Sequence, residues 1–188
     1  MEWTREHRLA VISSRGGVTL YSPLGERTKE FMLVRDVHVL GAIIFGASRH
    51  SGVAILDDQH RLSVANNVED HVIWSIHLPV TEAPSCWTLL QKHSELTSVV
   101  VVHRTAIYRA VQGERLRVAD TPWAEADGEY TRVVADWKNS RLALYHSKQI
   151  IHVTSSDLGS LLATIRLDDG RPISYLAWAG PTVSLIRR

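Results

Sequence analysis

The sequence predicts an all-β chain built as β-propeller blades of four antiparallel strands, and three observations carry that prediction. Strand-like runs rich in Val, Ile, Leu and Ala recur at Leu9–Ile12, Gly52–Leu56, Ser98–Val102 and Leu142–Tyr145, each ahead of a polar turn. Their starts lie 43, 46 and 44 residues apart, a pitch at which propeller blades repeat. Trp137 and Trp178 each finish an innermost strand just before its hairpin, and Trp3 holds the equivalent place. A large aromatic there is expected to fill the space between blades.

Each unit divides into four strands joined by tight turns. The first is short of strand: Trp3 stands near the end of an opening strand, followed by His7–Ser13, Val18–Ser22 and Thr28–Val34. Gly41–Gly46, Gly52–Asp57, Arg61–Ala65 and Val72–Leu78 form the second unit, and Cys86–Gln91, Ser98–His103, Ala106–Val111 and Arg115–Ala119 the third. In the fourth, Tyr130–Trp137 alternates, Lys138-Asn139-Ser140 turns, and Arg141–His146, Gln149–Thr154 and Ser160–Leu167 complete the blade. Asp168-Asp169-Gly170 closes it with residues that tolerate the positive φ of a tight turn. Pro172–Trp178 and Thr182–Ile186 read as the first two strands of a fifth blade. The blades thus span about residues 1–35, 40–79, 85–120 and 129–168, with an incomplete one at 172–188, in one partial propeller domain. A chain that starts and stops inside blades leaves an apolar blade face without a neighbour, which predicts a fragment of a larger ring. A four-bladed ring that shares strands between its ends satisfies the same period.

A length of 188 residues fits one domain. The composition, 45% hydrophobic with 21 basic against 20 acidic residues, is that of a globular protein. A net charge of +1, with the arginines spread along the chain, gives no concentrated basic surface for nucleic acid or an anionic membrane. Cys86 is the single cysteine, so no internal disulfide can form and a reducing, cytosolic compartment is expected. No run approaches the roughly 18 apolar residues that a membrane helix needs, and Met1-Glu2-Trp3-Thr4 lacks the layout of a signal peptide. Any membrane association is expected to be peripheral.

Candidate chemistry is sparse. No Cys-x-x-Cys, His-x-x-x-His or His-Glu-x-x-His spacing occurs among the ten histidines and one cysteine, so no metal is expected. His71 and His77 can share a strand face, and read as a solvated one. Cys86 with a distant His supplies the ingredients of a thiol nucleophile, but it sits in the strand-like run Cys86-Trp87-Thr88-Leu89-Leu90 and reads as packed and inert. Asp57-Asp58 and Asp168-Asp169 fall at hairpin turns, where Asp is favoured for its local backbone bonding. Arg15-Gly16-Gly17 is a hairpin turn rather than a phosphate cradle, and no glycine-rich phosphate loop or nucleophile elbow is present, so no catalytic, metal or cofactor-binding residue is assigned.

Ser51-Gly52-Val53-Ala54-Ile55-Leu56, then His60-Arg61-Leu62-Ser63-Val64-Ala65-Asn66-Asn67-Val68, then Ala83-Pro84-Ser85-Cys86-Trp87-Thr88-Leu89-Leu90 resemble, in order and separation, the N-terminal region of the vacuolar protein sorting-associated protein 16 family. Weaker similarity runs through Val18-Thr19-Leu20-Tyr21, Arg141-Leu142-Ala143-Leu144 and the Trp178 region. The resemblance implies a seven-bladed propeller followed by an α-solenoid, without catalytic residues, in a core subunit of the HOPS and CORVET tethering complexes. It implies action on the cytosolic face of late endosomes, lysosomes or vacuoles, including autophagosome–lysosome fusion. It also implies other complex subunits as partners and, through the solenoid, an SM-type SNARE chaperone. The chain carries about four blades and none of the solenoid, so the chaperone contact maps onto no residue here. The functions expected are therefore a scaffold segment of a tethering subunit or, alternatively, a free-standing peptide-binding propeller, with a small propeller hydrolase or lectin least supported.

Overall fold

The computed structural model describes residues 1–46, 50–70, 72–91, 97–136, 138, 140–167, 170, 173–179 and 182–187. They form two compact units, Met1–Ala83 and Pro84–Arg188. In the first, β1 (Glu2–Trp3), β2 (Leu9–Ile12), β3 (Gly17–Tyr21) and β4 (Arg27–Met32) make one antiparallel sheet, and β5 (Val39–Gly46), β6 (Ser51–Asp57), β7 (Arg61–Ala65) and β8 (Ile73–His77) the next. In the second unit the sheets are β9 (Cys86–Gln91), β10 (Thr97–His103), β11 (Ala106–Val111), β12 (Arg117–Val118) and then β13 (Tyr130–Ala135), β14 (Arg141–His146), β15 (Ile150–Ser155), β16 (Leu161–Arg166). A hairpin of β17 (Ile173–Ala179) and β18 (Thr182–Arg187) follows. Every four-stranded sheet is a simple meander, strand next to strand in chain order.

Middle strands such as β6, β7, β10, β14 and β15 carry the apolar runs because both of their faces are covered, whereas β3 of the first sheet alternates. β6 is buried at all seven positions and β14 at five of six, so their sequences read as near-continuous hydrophobic stretches instead of alternating ones. The period of two decides which core each side chain enters. Leu142 and Leu144 of β14 pack with Val100, Val102, Ile107 and Tyr130, while Ala143 and Tyr145 turn the other way to meet Ile151, Val153, Ile173 and Leu176. In the first unit Ala10, Val18 and Leu20 meet Val53, Ile55 and Ala65 in one core. The outermost strands have no such cover, and β16 is exposed along all six residues.

The repeat is written into the turns as well as the strands. The hairpin between second and third strands places one residue in the left-handed region in every sheet: Gly16 (φ 82), His60 (φ 54), Arg104 (φ 55) and Gln149 (φ 64). These lie 44, 44 and 45 residues apart by their numbers. Two contacts between neighbouring sheets span the same step: Cys86 Sγ lies 3.8 Å from the Tyr130 carbonyl, and Trp178 Nε1 donates to the Val134 carbonyl at 3.2 Å. Both pairs are 44 residues apart.

Three expectations change. Trp3 fills no interior space, being 57% exposed at the end of a two-residue strand too short to carry it inward. The outer strand expected over Arg115–Ala119 shrinks to Arg117–Val118, because Glu114 N–H turns back to the Val111 carbonyl and Ala119 N–H closes on Ile107. The innermost strand of the fourth sheet ends at Ala135, because the Asp136 carboxylate bonds the turn that follows. Trp137 and the acids Asp168 and Asp169 lie outside the described residues.

Gly16 is the one glycine among the four left-handed hairpin positions, and a Cβ there would stand 2.1 Å from Val34 Cγ2, whereas at Gly113 (φ 84) it would meet nothing within 4 Å. Both substitutions by Ala carry the backbone penalty of about 1–2 kcal/mol, and the clash adds roughly 1–3 kcal/mol at Gly16 alone. Urea unfolding is expected to show Gly16→Ala as the more destabilised of the two; equal losses would mean that Val34 yields freely.

Candidate functional site

The polar residues most able to do chemistry are held by the sheets themselves. Asp57 closes β6 with its carboxylate fully buried; Oδ1 accepts the backbone N–H of Gln59 (3.1 Å) and of Arg61 (2.9 Å), and Oδ2 accepts Arg61 Nε at 3.0 Å. Asp136 repeats the device between β13 and β14, accepting the backbone N–H of Ser140 (2.7 Å) and of Arg141 (3.1 Å), the Ser140 hydroxyl and Arg141 Nε. Burial works to raise the Asp136 pKa, but the bonds from Arg141 and Ser140 outweigh it and hold the carboxyl below its ordinary range. Asp58 accepts the His38 N–H at 3.1 Å. The Asp57-Asp58 pair is thus turn chemistry. His77 is exposed on the outer strand β8, and His71 lies outside the described residues.

Cys86 opens β9, and protein atoms crowd its sulfur although the residue is not fully enclosed. Burial pushes the thiol up to about 12, against a smaller opposing pull from Arg132. A thiol so far from ionisation is a poor nucleophile near neutral pH.

One cluster escapes sequence reading. The segment between β12 and β13 lays Trp123 against the face of the fourth sheet, its Nε1 donating to the Leu158 carbonyl at 2.9 Å. Beneath it the fully buried Tyr130 meets His146 edge to face, with centroids 4.8 Å apart, and its hydroxyl lies 2.8 Å from His152 Nδ1. The Tyr130 oxygen also accepts the Glu125 N–H at 3.3 Å. The Lys148 N–H donates to His146 Nδ1 at 3.1 Å, which puts the imidazole proton of the neutral ring on the buried Nε2, on the side of the Asp127 backbone. Burial lowers the pKa of both histidines, with the Glu125 charge opposing it in each, and raises Tyr130 to about 12. Both rings are neutral and enclosed. The even offset from His146 to His152 was the available signal, but only the hairpin and the overlying loop bring the rings onto Tyr130.

No group of three or more His, Cys, Asp or Glu side chains gathers into a metal-holding set among the described residues. The surface has shallow clefts instead. One of about 650 Å³ in the first unit is lined by Arg15, Met32, Arg35, Val37, His38 and Asp58. Another of about 410 Å³ in the second unit lies beside the short outer strand β12. Neither is lined by Cys86, Tyr130, His146 or His152, so the groups with perturbed ionisation and the groups open to a ligand are separate.

Residues 1–186 match the family described as Vps16, N-terminal region. The chain is 34% identical over 175 residues to the vacuolar protein sorting-associated protein 16 homolog of Caenorhabditis elegans, a match covering 90% of this chain and 20% of that protein. The chain therefore spans about a fifth of that relative's length. Among solved structures it is similar to the Myceliophteria thermophila Cps50 (Swd1) β-propeller domain, with a TM-score of 0.68, 10% identity, and coverage of 99% of this chain and 62% of that one. It is also similar to BBS1N in complex with ARL6DN, with a TM-score of 0.67, 14% identity, and coverage of 96% and 58%. At such identities the structural likeness carries the fold alone, and that fold is the β-propeller.

Two outcomes follow from the buried groups. Cys86 is expected to resist alkylation at pH 8 in the native chain and to react at the rate of an ordinary thiol in denaturant; equal rates would refute its enclosure. Because the folded His146 and His152 bind protons less readily than an unfolded histidine near 6.5, the unfolded state takes up more protons below that pH. Their contribution to stability is full above about pH 6.5 and declines as the pH falls through it. Urea midpoints between pH 7.5 and 5.5 should fall for the native chain and flatten when both histidines are changed to Gln. The depressed carboxyls of Glu6, Glu69 and Asp136 act only below the ordinary carboxylate range of 4.5, outside that window.

Proposed function

The chain belongs to the Vps16 N-terminal-region family, and from that premise we propose that it is a non-catalytic scaffold segment of a vacuolar protein sorting subunit of the HOPS and CORVET type. In this reading the whole protein joins other tethering subunits, and an SM-type SNARE chaperone through a solenoid, at the cytosolic face of late endosomes, lysosomes or vacuoles. Association with the membrane is peripheral and made through the complex. Endosomal and autophagosomal fusion with the lysosome is the process it serves.

The observation that carries the reading is the family match along residues 1–186, joined to 34% identity with a vacuolar protein sorting protein. The chemistry of the fold supports it. Several residues that could act as nucleophile, acid or base are held by the sheets: Asp57 and Asp136 are bonded into turns, His146 is buried in a sheet core, and Cys86 is partly buried with its thiol pushed up to about 12. What reaches solvent is sheet edge and loop, with apolar side chains such as Leu162 and Val118 among them. Such surfaces suit the holding of other proteins, where aromatic and aliphatic anchors inside a polar rim supply most of the affinity.

Affinity purification of the complete protein from cells is the test. The other tethering subunits and the SNARE chaperone are expected among the recovered proteins, and late endosomes are expected to accumulate unfused when the protein is removed. Recovery of neither subunits nor chaperone would remove the reading.

A further inference from the structure

The two outermost strands of the third sheet, β11 and β12, set two arginines side by side with no carboxylate between them. Arg109 of β11 and Arg117 of β12 are direct cross-strand partners, which puts both guanidinium groups on one face of the sheet. Like charges in that position repel. Neither side chain has a hydrogen bond or ion pair among the described residues, and Arg109 Nε is enclosed by protein without an acceptor. Two other strand arginines are treated differently: Arg61 Nε donates to Asp57 at 3.0 Å and Arg141 Nε to Asp136 at 3.1 Å. Arg109 presents the same donor with nothing opposite it.

Both arginines line the cleft of about 410 Å³, whose apolar wall includes Pro122 and Val118, the latter 67% exposed. Three acids also border the cleft. Asp157 is committed to its own turn, accepting the Ser155 hydroxyl and the Gly159 N–H. Glu114 and Asp120 are exposed on the rim and close on neither arginine. Their charges oppose a dianion or a polyanion, yet leave room for one negative charge seated between the two guanidinium groups, which match a carboxylate in a bidentate fork.

We infer that the Arg109–Arg117 cleft is a binding site for a single acidic side chain, Asp or Glu, on a segment of a partner protein, with neutral or basic residues on either side of it. The carboxylate supplies the acceptor that Arg109 Nε lacks and relieves the repulsion across β11 and β12, while Val118 and Pro122 receive the flanking apolar groups. The inference stands on this cleft and is independent of the tethering reading.

The test uses the 188-residue chain and NMR observation of the arginine Nε–H resonances. A capped peptide Lys-Ala-Glu-Ala-Lys is expected to shift the Arg109 resonance, with its Gln counterpart and Arg117→Gln each weakening the response at least tenfold. Arg117→Lys keeps the charge but loses the fork, and should respond less than the native chain. Inorganic phosphate at matched ionic strength is expected to do little; a shift as large as the Glu peptide gives would overturn the carboxylate assignment in favour of a general anion site. Without ligand at low salt, Arg117→Gln should raise the melting midpoint, by up to about 3 °C. A lowered midpoint, or equal response to the Glu and Gln peptides, would overturn the proposal.

Discussion

Cover on both faces of the central strands is the constraint from which the rest follows. A sheet whose second and third strands carry Val53-Ala54-Ile55-Leu56 or Leu142-Ala143-Leu144-Tyr145 has apolar side chains on each side, and each face must find another sheet to exclude water. In the second unit this is visible within one strand, where Leu142 and Leu144 serve one core while Ala143 and Tyr145 serve the next. No sheet built this way is stable alone, so sheets come in series. Residues buried per strand rise from the short or half-covered inner strands to the middle pair and fall again at the edge.

The need for serial packing fixes the pitch, and the pitch governs the turns. Hairpins must bring the chain back at the same place in each unit, which is why one left-handed residue recurs at Gly16, His60, Arg104 and Gln149. Three of these four carry a side chain where glycine is the low-strain choice, so the geometry is imposed by the stacked sheets. Buried polar groups obey the same logic. Asp57 and Asp136 each bind a turn and a neighbouring arginine, which meets the desolvation penalty with several bonds to the charged form. The same rule makes Arg109, enclosed in part and unpaired, an exception that points outward.

In the proposed reading, a scaffold that spends its reactive groups in this way leaves binding to its edges and loops. The relative from Caenorhabditis elegans is about five times as long as the matched region, from the 20% coverage, and in the proposed reading the surfaces described here are a fraction of those a tethering subunit offers. Tyr130, His146 and His152 serve to dock the loop carrying Trp123 onto the fourth sheet.

The strands, their meander order and their pitch were legible from residue types alone, because two-sided burial forces runs of Val, Ile, Leu and Ala and because polar residues break those runs at the hairpins. Cys86 as an inert thiol and Asp57-Asp58 as a turn were legible for the same local reasons. The exposure of Trp3 was not, since a short inner strand offers no covering surface, and strand length depends on turn hydrogen bonds that residue types do not fix. Nor were the Tyr130 cluster or the Arg109–Arg117 pair. Both arise from cross-strand register and loop placement over separations of 22 and 8 residues, the first from the Tyr130–His152 bond and the second from the numbers of the paired arginines. The chain's composition determined that sheets would form and stack, but which side chains then meet, and which are left without a partner, is a property of register, and register is settled only when the sheets close on one another.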